Sequence, residues 1–163
     1  TGLYNRRYWN ALLENEYKRC GYGVSNGCLA LVDLDHFKQI NDTHGHLVGD
    51  EVLRHVASAL RSNLRSTDIV ARFGGDEFCV FLPDTDRATA FQVLDRVRVE
   101  IADAVFGQKQ TAIATLSIGL TAFDNPMLFN EWFKQADLAL YEAKARGRNQ
   151  VACFDGDSMR ASA

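Results

Sequence analysis

Four carboxylates in two short stretches hold the most chemical promise in this chain. Asp33 and Asp35 lie in "LVDLDHF", and Asp76 and Glu77 lie in "ARFGGDEFCVFLP". Carboxylate oxygens are the ligands Mg²⁺ prefers, and that ion commonly keeps one or two of them together with substrate phosphates. Around them stand the cations Lys38, Lys144 and Arg148, the pair Asn41-Asp42, the histidines His44 and His46, the acids Asp50 and Glu51, and Arg65 with Asp68 in "RSTD".

Each group also has a plain structural reading. Gly74-Gly75-Asp76-Glu77 by itself is a turn, and Asp33-x-Asp35 a solvated strand end. Asp50 and Glu51 open a helix, where they face its dipole favourably. Lys144 and Arg148, four apart near the end of the last helix, project to one side and suit a helix C-terminus. Asn41-Asp42 suits a loop, and Arg65 and Asp68 bracket a turn that a local ion pair or water satisfies. His44-Gly45-His46 lacks neighbours at zinc spacing, so His44 takes a loop role and His46 stays open.

Periodicity gives the elements that must position these groups. "GCLALVD" is a short continuous apolar run, as a buried strand is. A loop with His44, Gly45 and His46 follows, and then Val52, Val56 and Leu60, with Leu53 and Leu64, mark a helix face. "DIVARF" and "EFCVFL" are strands around Gly74-Gly75, a hairpin signal closed by Pro83 and Asp84. Phe91, Leu94, Val97 and Ile101 give a second helix, and "TAIATLSIGLTAF" a β-branched strand. Phe129, Trp132, Phe133, Ala136, Leu140 and Ala143 give a third helix, and "QVACF" a last strand. No element is assigned ahead of "GCLALVD".

Strand, helix, two hairpin strands, helix, strand is the split βαβ (ferredoxin-like) order, with the first strand antiparallel beside the third. The fold class is therefore α+β, an α/β sandwich with a mostly antiparallel central sheet flanked by helices. The C-terminal helix and strand extend that core. Antiparallel neighbours bring the end of one strand against the start of the other, so Asp33 and Asp35 should approach Asp76 and Glu77. Carboxylates that close repel by roughly 4 kcal/mol per pair at 4 Å and an effective dielectric of 20. They must splay into water or share a cation.

Composition narrows the function classes. A chain of 163 residues with 47% apolar and 24% charged content suits one soluble domain, and its net charge of −3 argues against broad attraction to nucleic acid or anionic lipid. A polyanion must be met here by local cations or metal. Cys20, Cys28, Cys79 and Cys153 are scattered without a C-x-x-C pair, which fits reduced thiols in the cytosol. No signal peptide or membrane-spanning run occurs, so membrane contact by this domain is not expected. Walker A, G-x-G-x-x-G, G-x-S-x-G and H-E-x-x-H patterns are absent.

Five blocks together resemble the GGDEF-domain diguanylate cyclases: "TGLYNRR", "DLDHFKQINDTHGHLVGDEVL", "RFGGDEF", "LSIGL" and "ADLALYEAKARGRN". They span nearly the whole chain. The resemblance implies a single catalytic domain over residues 1–163, the C-terminal output domain of a longer signalling protein, with a core like the polymerase palm and nucleotidyl cyclases. The implied activity is a nucleotidyltransferase reaction, condensation of two GTP into cyclic di-GMP, a bacterial second messenger, with release of two pyrophosphates. Each domain binds one GTP, and a homodimer sets each 3′-hydroxyl against the other nucleotide's α-phosphate.

By the same resemblance, Asp33, Asp76 and the carbonyl of Leu34 hold Mg²⁺ or Mn²⁺, two ions per active site. Asp76 is the usual proton acceptor, with Glu77 beside it and Lys38 in a catalytic role. Asn41 and Asp50 read the guanine edge; Phe37, His46 and Leu53 shape the pocket; Gly74 and Gly75 let backbone approach the nucleotide. Lys38, Lys144 and Arg148 bind phosphates. "RSTD" stands where the family has its R-x-x-D product-inhibition site, so Arg65 and Asp68, with Arg96 from a facing helix, would bind cyclic di-GMP. The acidic residue and leucine that the family carries just before Thr1 are missing. The expected location is the cytosol, with membrane anchoring of the full-length protein left open. The rival reading is a non-catalytic module that binds GTP or cyclic di-GMP as sensor or docking domain.

Overall fold

The computed structural model describes residues 3, 6–21, 26–109, 111–123 and 127–156. Its elements are α1 (Arg6–Gly21), β1 (Gly27–Leu34), α2 (Phe37–His44), α3 (His46–Asn63), β2 (Ile69–Arg72), β3 (Glu77–Pro83), α4 (Arg87–Asp103), β4 (Leu116–Ala122), α5 (Phe129–Ala145) and β5 (Gln150–Cys153). The five strands form one sheet in the order β2-β3-β1-β4-β5. β1 lies antiparallel to both β3 and β4, β2 is antiparallel to β3, and β5 extends the sheet parallel to β4. The split βαβ order and its C-terminal extension are as the sequence predicts.

Both faces of the sheet are covered, which is why β1 and β3 read as continuous apolar runs. Side chains alternate across a strand. Cys28, Ala30, Val32 and Leu34 of β1, with Phe78, Val80 and Leu82 of β3, share a core with Val52, Val56 and Leu60 of α3 and Leu94, Val97 and Ile101 of α4. Leu29, Cys79 and Phe81 turn the other way, onto Trp9 and Leu13 of α1 and Trp132 and Ala136 of α5. Trp132 meets Phe81 and Phe123 edge to face, at ring-centroid separations of 5.5 and 5.4 Å. Asp86 caps α4 by accepting the Thr89 N–H at 2.7 Å.

Gly119 lets α5 sit almost on the sheet. A Cβ there would come within 2.2 Å of the Ala136 carbonyl oxygen and the Leu140 nitrogen. No larger residue fits without moving the helix.

Four local expectations are corrected. Residues 6–21, left unassigned, form α1, which buries Trp9, Leu13 and Cys20. The expected loop around His44 to His46 is a helix-turn-helix, broken only at Gly45 with φ of 87°. Because α3 starts at His46, Asp50 and Glu51 lie beyond its first turn and do not face the start of the dipole. The strand predicted from residue 111 begins at Leu116; ahead of it Ala112 makes a single bridge to Phe106.

Candidate active site

The antiparallel register of β1 and β3 sets Asp33 directly opposite Glu77. One step further, the Leu34 N–H donates to the Asp76 carbonyl at 3.1 Å. Asp33 and Glu77 therefore leave the sheet on the same face, which is the α5 face, and Lys144 reaches in from α5 to place Nζ 3.0 Å from Asp33 Oδ1. Burial pushes the Asp33 carboxyl above its usual range; Lys144 pulls it back, and the charges of Asp76 and Glu77 push it up again. The convergence of Asp33 with Asp76 and Glu77 is thus present in the fold.

Asp35 does not join them. Successive strand residues alternate faces, but Asp35 lies past the end of β1, and its carboxylate turns toward β4. Oδ1 accepts from Ser117 Oγ at 2.6 Å; Oδ2 accepts from Thr115 Oγ1 at 2.7 Å and from the Asn149 N–H at 3.1 Å. With three donors and 4% exposure, Asp35 is a structural hub and not part of the acidic cluster.

The turn between β2 and β3 is held from below. The Phe73 N–H donates to the Glu77 carbonyl at 2.8 Å. Arg72 donates from Nε to the Gly74 carbonyl at 3.1 Å and from Nη2 to the Gly75 carbonyl at 2.7 Å. Arg72 escapes a reading based on acids and phosphate-binding cations, since its partners are backbone carbonyls. Neither Gly74 nor Gly75 takes a left-handed φ, and a Cβ on Gly75 would meet nothing within 4 Å. The domain's own packing therefore does not require glycine at Gly75.

On the opposite side of β1, α2 and α3 pack closely enough that a Cβ on Gly49 would come 1.9 Å from Asn41 Oδ1. Gly49 thereby seats Asn41 against α3, one residue from Asp50. Lys38, His46 and Asp50 are exposed, Phe37 and Asn41 half-buried. Leu53 belongs to the core, at 4% exposure. Lys144 and Arg148 do not share a helix face, because α5 ends at Ala145. Gly147, at φ 114°, closes it with Arg148 N–H to Ala143 O (3.0 Å) and Gly147 N–H to Lys144 O (3.3 Å), a Schellman arrangement. Arg148 is exposed beyond that cap.

Arg65 and Asp68 form a second feature. The Arg65 N–H donates to Asp68 Oδ2 at 2.7 Å, and Asp68 N–H returns to the Arg65 carbonyl at 3.1 Å. They line a cavity of about 530 Å³ with Leu3, Arg61, Ser66 and Val70. Asp68 Oδ1 is buried with no hydrogen-bond partner among the described residues. Burial raises the Asp68 carboxyl, offset by the Arg65 N–H and charge. Arg96 is exposed on α4 and is not among the residues that line this cavity.

Asp33, Asp76 and Glu77 offer hard oxygen donors that repel one another, a donor set that fits a divalent cation shared with phosphates. Among the described residues no three such side chains are already gathered into a cage. The fit is that of an open site awaiting further ligands.

The family model described as "Diguanylate cyclase, GGDEF domain" matches residues 1–150. The chain belongs to the GGDEF-domain family. This GGDEF domain is 40% identical over 153 residues to the probable diguanylate cyclase DgcC of Escherichia coli (strain K12), covering 93% of this chain and 41% of that protein. It is 42% identical over 159 residues to the response regulator PleD of Caulobacter vibrioides (strain NA1000 / CB15N), covering 93% of this chain and 34% of PleD. The chain thus spans about two-fifths or less of these curated relatives. In structure it matches the GGDEF domain of DgcB from Caulobacter crescentus in complex with c-di-GMP, with a TM-score of 0.89, 32% identity, and coverage of 94% and 92% of the two chains. The fold is accordingly the nucleotidyl-cyclase-like α+β fold. Of the opening block "TGLYNRR", residues 1, 2, 4 and 5 lie outside the described residues. Among the described residues no helix is long and apolar enough to cross a membrane.

Proposed function

We propose that this GGDEF domain is a catalytic diguanylate cyclase unit that condenses two GTP into cyclic di-GMP and two pyrophosphates. The observation that carries the reading is the meeting of Asp33 with Asp76 and Glu77 at one end of the sheet, with Lys144 against Asp33. Asn41 and Asp50 accept from the guanine N1–H and amino group, a donor pair adenine lacks. Lys38, Lys144 and Arg148 neutralise phosphate oxygens. Asp33, Asp76 and the Leu34 carbonyl would hold Mg²⁺ or Mn²⁺, two ions per site, which lower the pKa of the attacking hydroxyl and neutralise charge on phosphoryl oxygens.

Each step is an in-line transfer. The 3′-oxygen of one GTP bonds to the α-phosphorus of the other, the bond from that phosphorus to the bridging oxygen breaks, and pyrophosphate leaves. The hydroxyl proton passes to the Asp76–Glu77 pair, and Lys38 steadies the departing phosphates. Two such transfers close the ring, so two domains must face each other as a homodimer in the cytosol. The Gly74-Gly75 turn, its carbonyls held by Arg72 and its surface free of Cβ atoms, leaves room for the nucleotide. Product binds at Arg65 and Asp68, where the orphaned Asp68 Oδ1 suits a guanine N–H donor, with Arg96 supplied across a domain contact.

The test is Asp76→Ala assayed for cyclic di-GMP and pyrophosphate at high protein concentration, with melting followed in parallel. Loss of turnover with unchanged melting is expected; retained turnover removes the reading. Persistent GTP and cyclic di-GMP binding by the parent protein without turnover favours instead the sensor or docking module.

A further inference from the structure

Two consecutive residues other than glycine sit in left-handed conformation right after the α5 cap: Arg148 at φ 63° and Asn149 at φ 46°. Each such residue is uncommon and costly, and it persists only where its surroundings over-determine it. Here the surroundings are explicit. From just past the end of β1, the buried Asp35 carboxylate takes the Asn149 N–H at 3.1 Å, while Thr115 and Ser117 fix that carboxylate in place. From α4, Arg98 Nη1 donates to Asn149 Oδ1 at 3.0 Å and to the Asn149 carbonyl at 3.3 Å, and Arg98 Nε is itself held by Asp95 Oδ1 at 2.6 Å. Asn149 is clamped from both sides. Its neighbour Arg148, whose own N–H is tied to Ala143, presents an exposed guanidinium.

We propose that Asp35, through Asn149, positions Arg148 for the phosphates of the nucleotide. The inference rests on the reading of Arg148 as a phosphate ligand. It assigns Asp35 a task unlike that of Asp33: Asp35 meets backbone and hydroxyl donors and serves as a positioning residue. The clamp fixes the backbone from which Arg148 springs at the site end of the sheet, so binding has only the side chain left to order. Removing the Asn149 N–H acceptor frees the pair to relax toward ordinary φ, and Arg148 is then spread over many positions.

The experiment uses 3′-deoxy-GTP, which binds but cannot attack, with calorimetric affinity measured beside kcat and KM for GTP. Asp35→Ala is expected to weaken 3′-deoxy-GTP binding about tenfold, with kcat within about twofold of the parent and no change in the Mg²⁺ concentration giving half-maximal rate. Asp35→Asn should restore most of the affinity, because its amide oxygen still accepts from Asn149 and Thr115 while its NH₂ donates to a rotated Ser117 hydroxyl. In a cycle with Arg148→Ala, the double variant should bind no worse than Arg148→Ala alone.

Full additivity of the two substitutions, or an Asp35→Asn variant as impaired as Asp35→Ala, overturns the proposal. If Arg148→Ala alone leaves affinity unchanged, it is the phosphate-ligand reading that fails. Should Asp35→Ala not fold, Asn149→Ala removes the shorter of the two Arg98 bonds to the turn and the residue type that best tolerates the left-handed φ. It must then show the same loss, non-additive with Arg148→Ala, or the proposal is wrong.

Discussion

Lys144 Nζ lies 3.0 Å from Asp33 Oδ1, so an ammonium from α5 neutralises the buried carboxylate that the sheet has pushed up against Asp76 and Glu77. The cation keeps the acidic corner tolerable in the absence of metal. Lys144→Met should therefore lower the stability in chelator by the scale of a half-buried pair, about 1–3 kcal/mol, read as a lower melting temperature. Mg²⁺ should then restore more stability to the variant than it adds to the parent. Calorimetric melting with and without Mg²⁺ checks this; equal metal effects in both proteins would show that Lys144 and the ion do not share Asp33.

The Asp68 carboxyl gives a pH-dependent signature. Its folded pKa is raised by burial. A raised carboxylate contributes stability that is fully present below the unfolded value and is lost as pH rises through the folded value. Asp68→Asn cannot ionise, so its melting temperature should gain on the parent from acid toward neutral pH, ending a few degrees higher. Product inhibition should vanish in the same variant. Parallel melting profiles across pH, or inhibition that survives, would each contradict the role given to the unpartnered Asp68 Oδ1.

Gly49 separates nucleotide recognition from stability. An alanine Cβ there collides with the Asn41 amide, a side chain free to swing, while helix propensity improves by about 1 kcal/mol. The expected result for Gly49→Ala is near-unchanged melting with KM for GTP raised about tenfold through the displaced Asn41. Steady-state kinetics of cyclic di-GMP formation measure it. Parent-like KM at full stability would mean that Asn41 does not read guanine.

Much of this was legible in the residues. The split βαβ order followed from apolar runs and the Gly74-Gly75 hairpin, and it brought the end of β1 toward Asp76 and Glu77; the register that sets Asp33 opposite Glu77 is a finding of the fold. α1 was legible too, through Trp9, Leu13, Tyr17 and Cys20 at helical spacing, but its polar content masked the stripe. Helix ends were harder. Lys144 and Arg148 share a helical interval in sequence, yet the Gly147 cap separates them, because termination depends on backbone φ and not on side-chain spacing. Asp35 could not be sorted from Asp33 by type: its partners Thr115, Ser117 and Asn149 lie 80 or more positions along the chain, brought near only by β4 and the α5–β5 turn. Arg72 was missed because backbone carbonyls leave no mark in sequence.

Gly119 sets how closely α5, and with it Lys144, approaches the sheet. An added methyl would sit 2.2 Å from backbone atoms of Ala136 and Leu140, which cannot rotate away, so the helix itself must retreat. Overpacking of this kind costs about 1–3 kcal/mol or more, and the whole of α5 shifts with it. Gly119→Ala should therefore melt several degrees lower and also lose turnover out of proportion to the folded fraction, since Lys144 can no longer reach Asp33. Melting curves paired with activity per folded molecule decide the matter. If activity tracks folded protein one for one, the seating of α5 on β4 matters for stability alone.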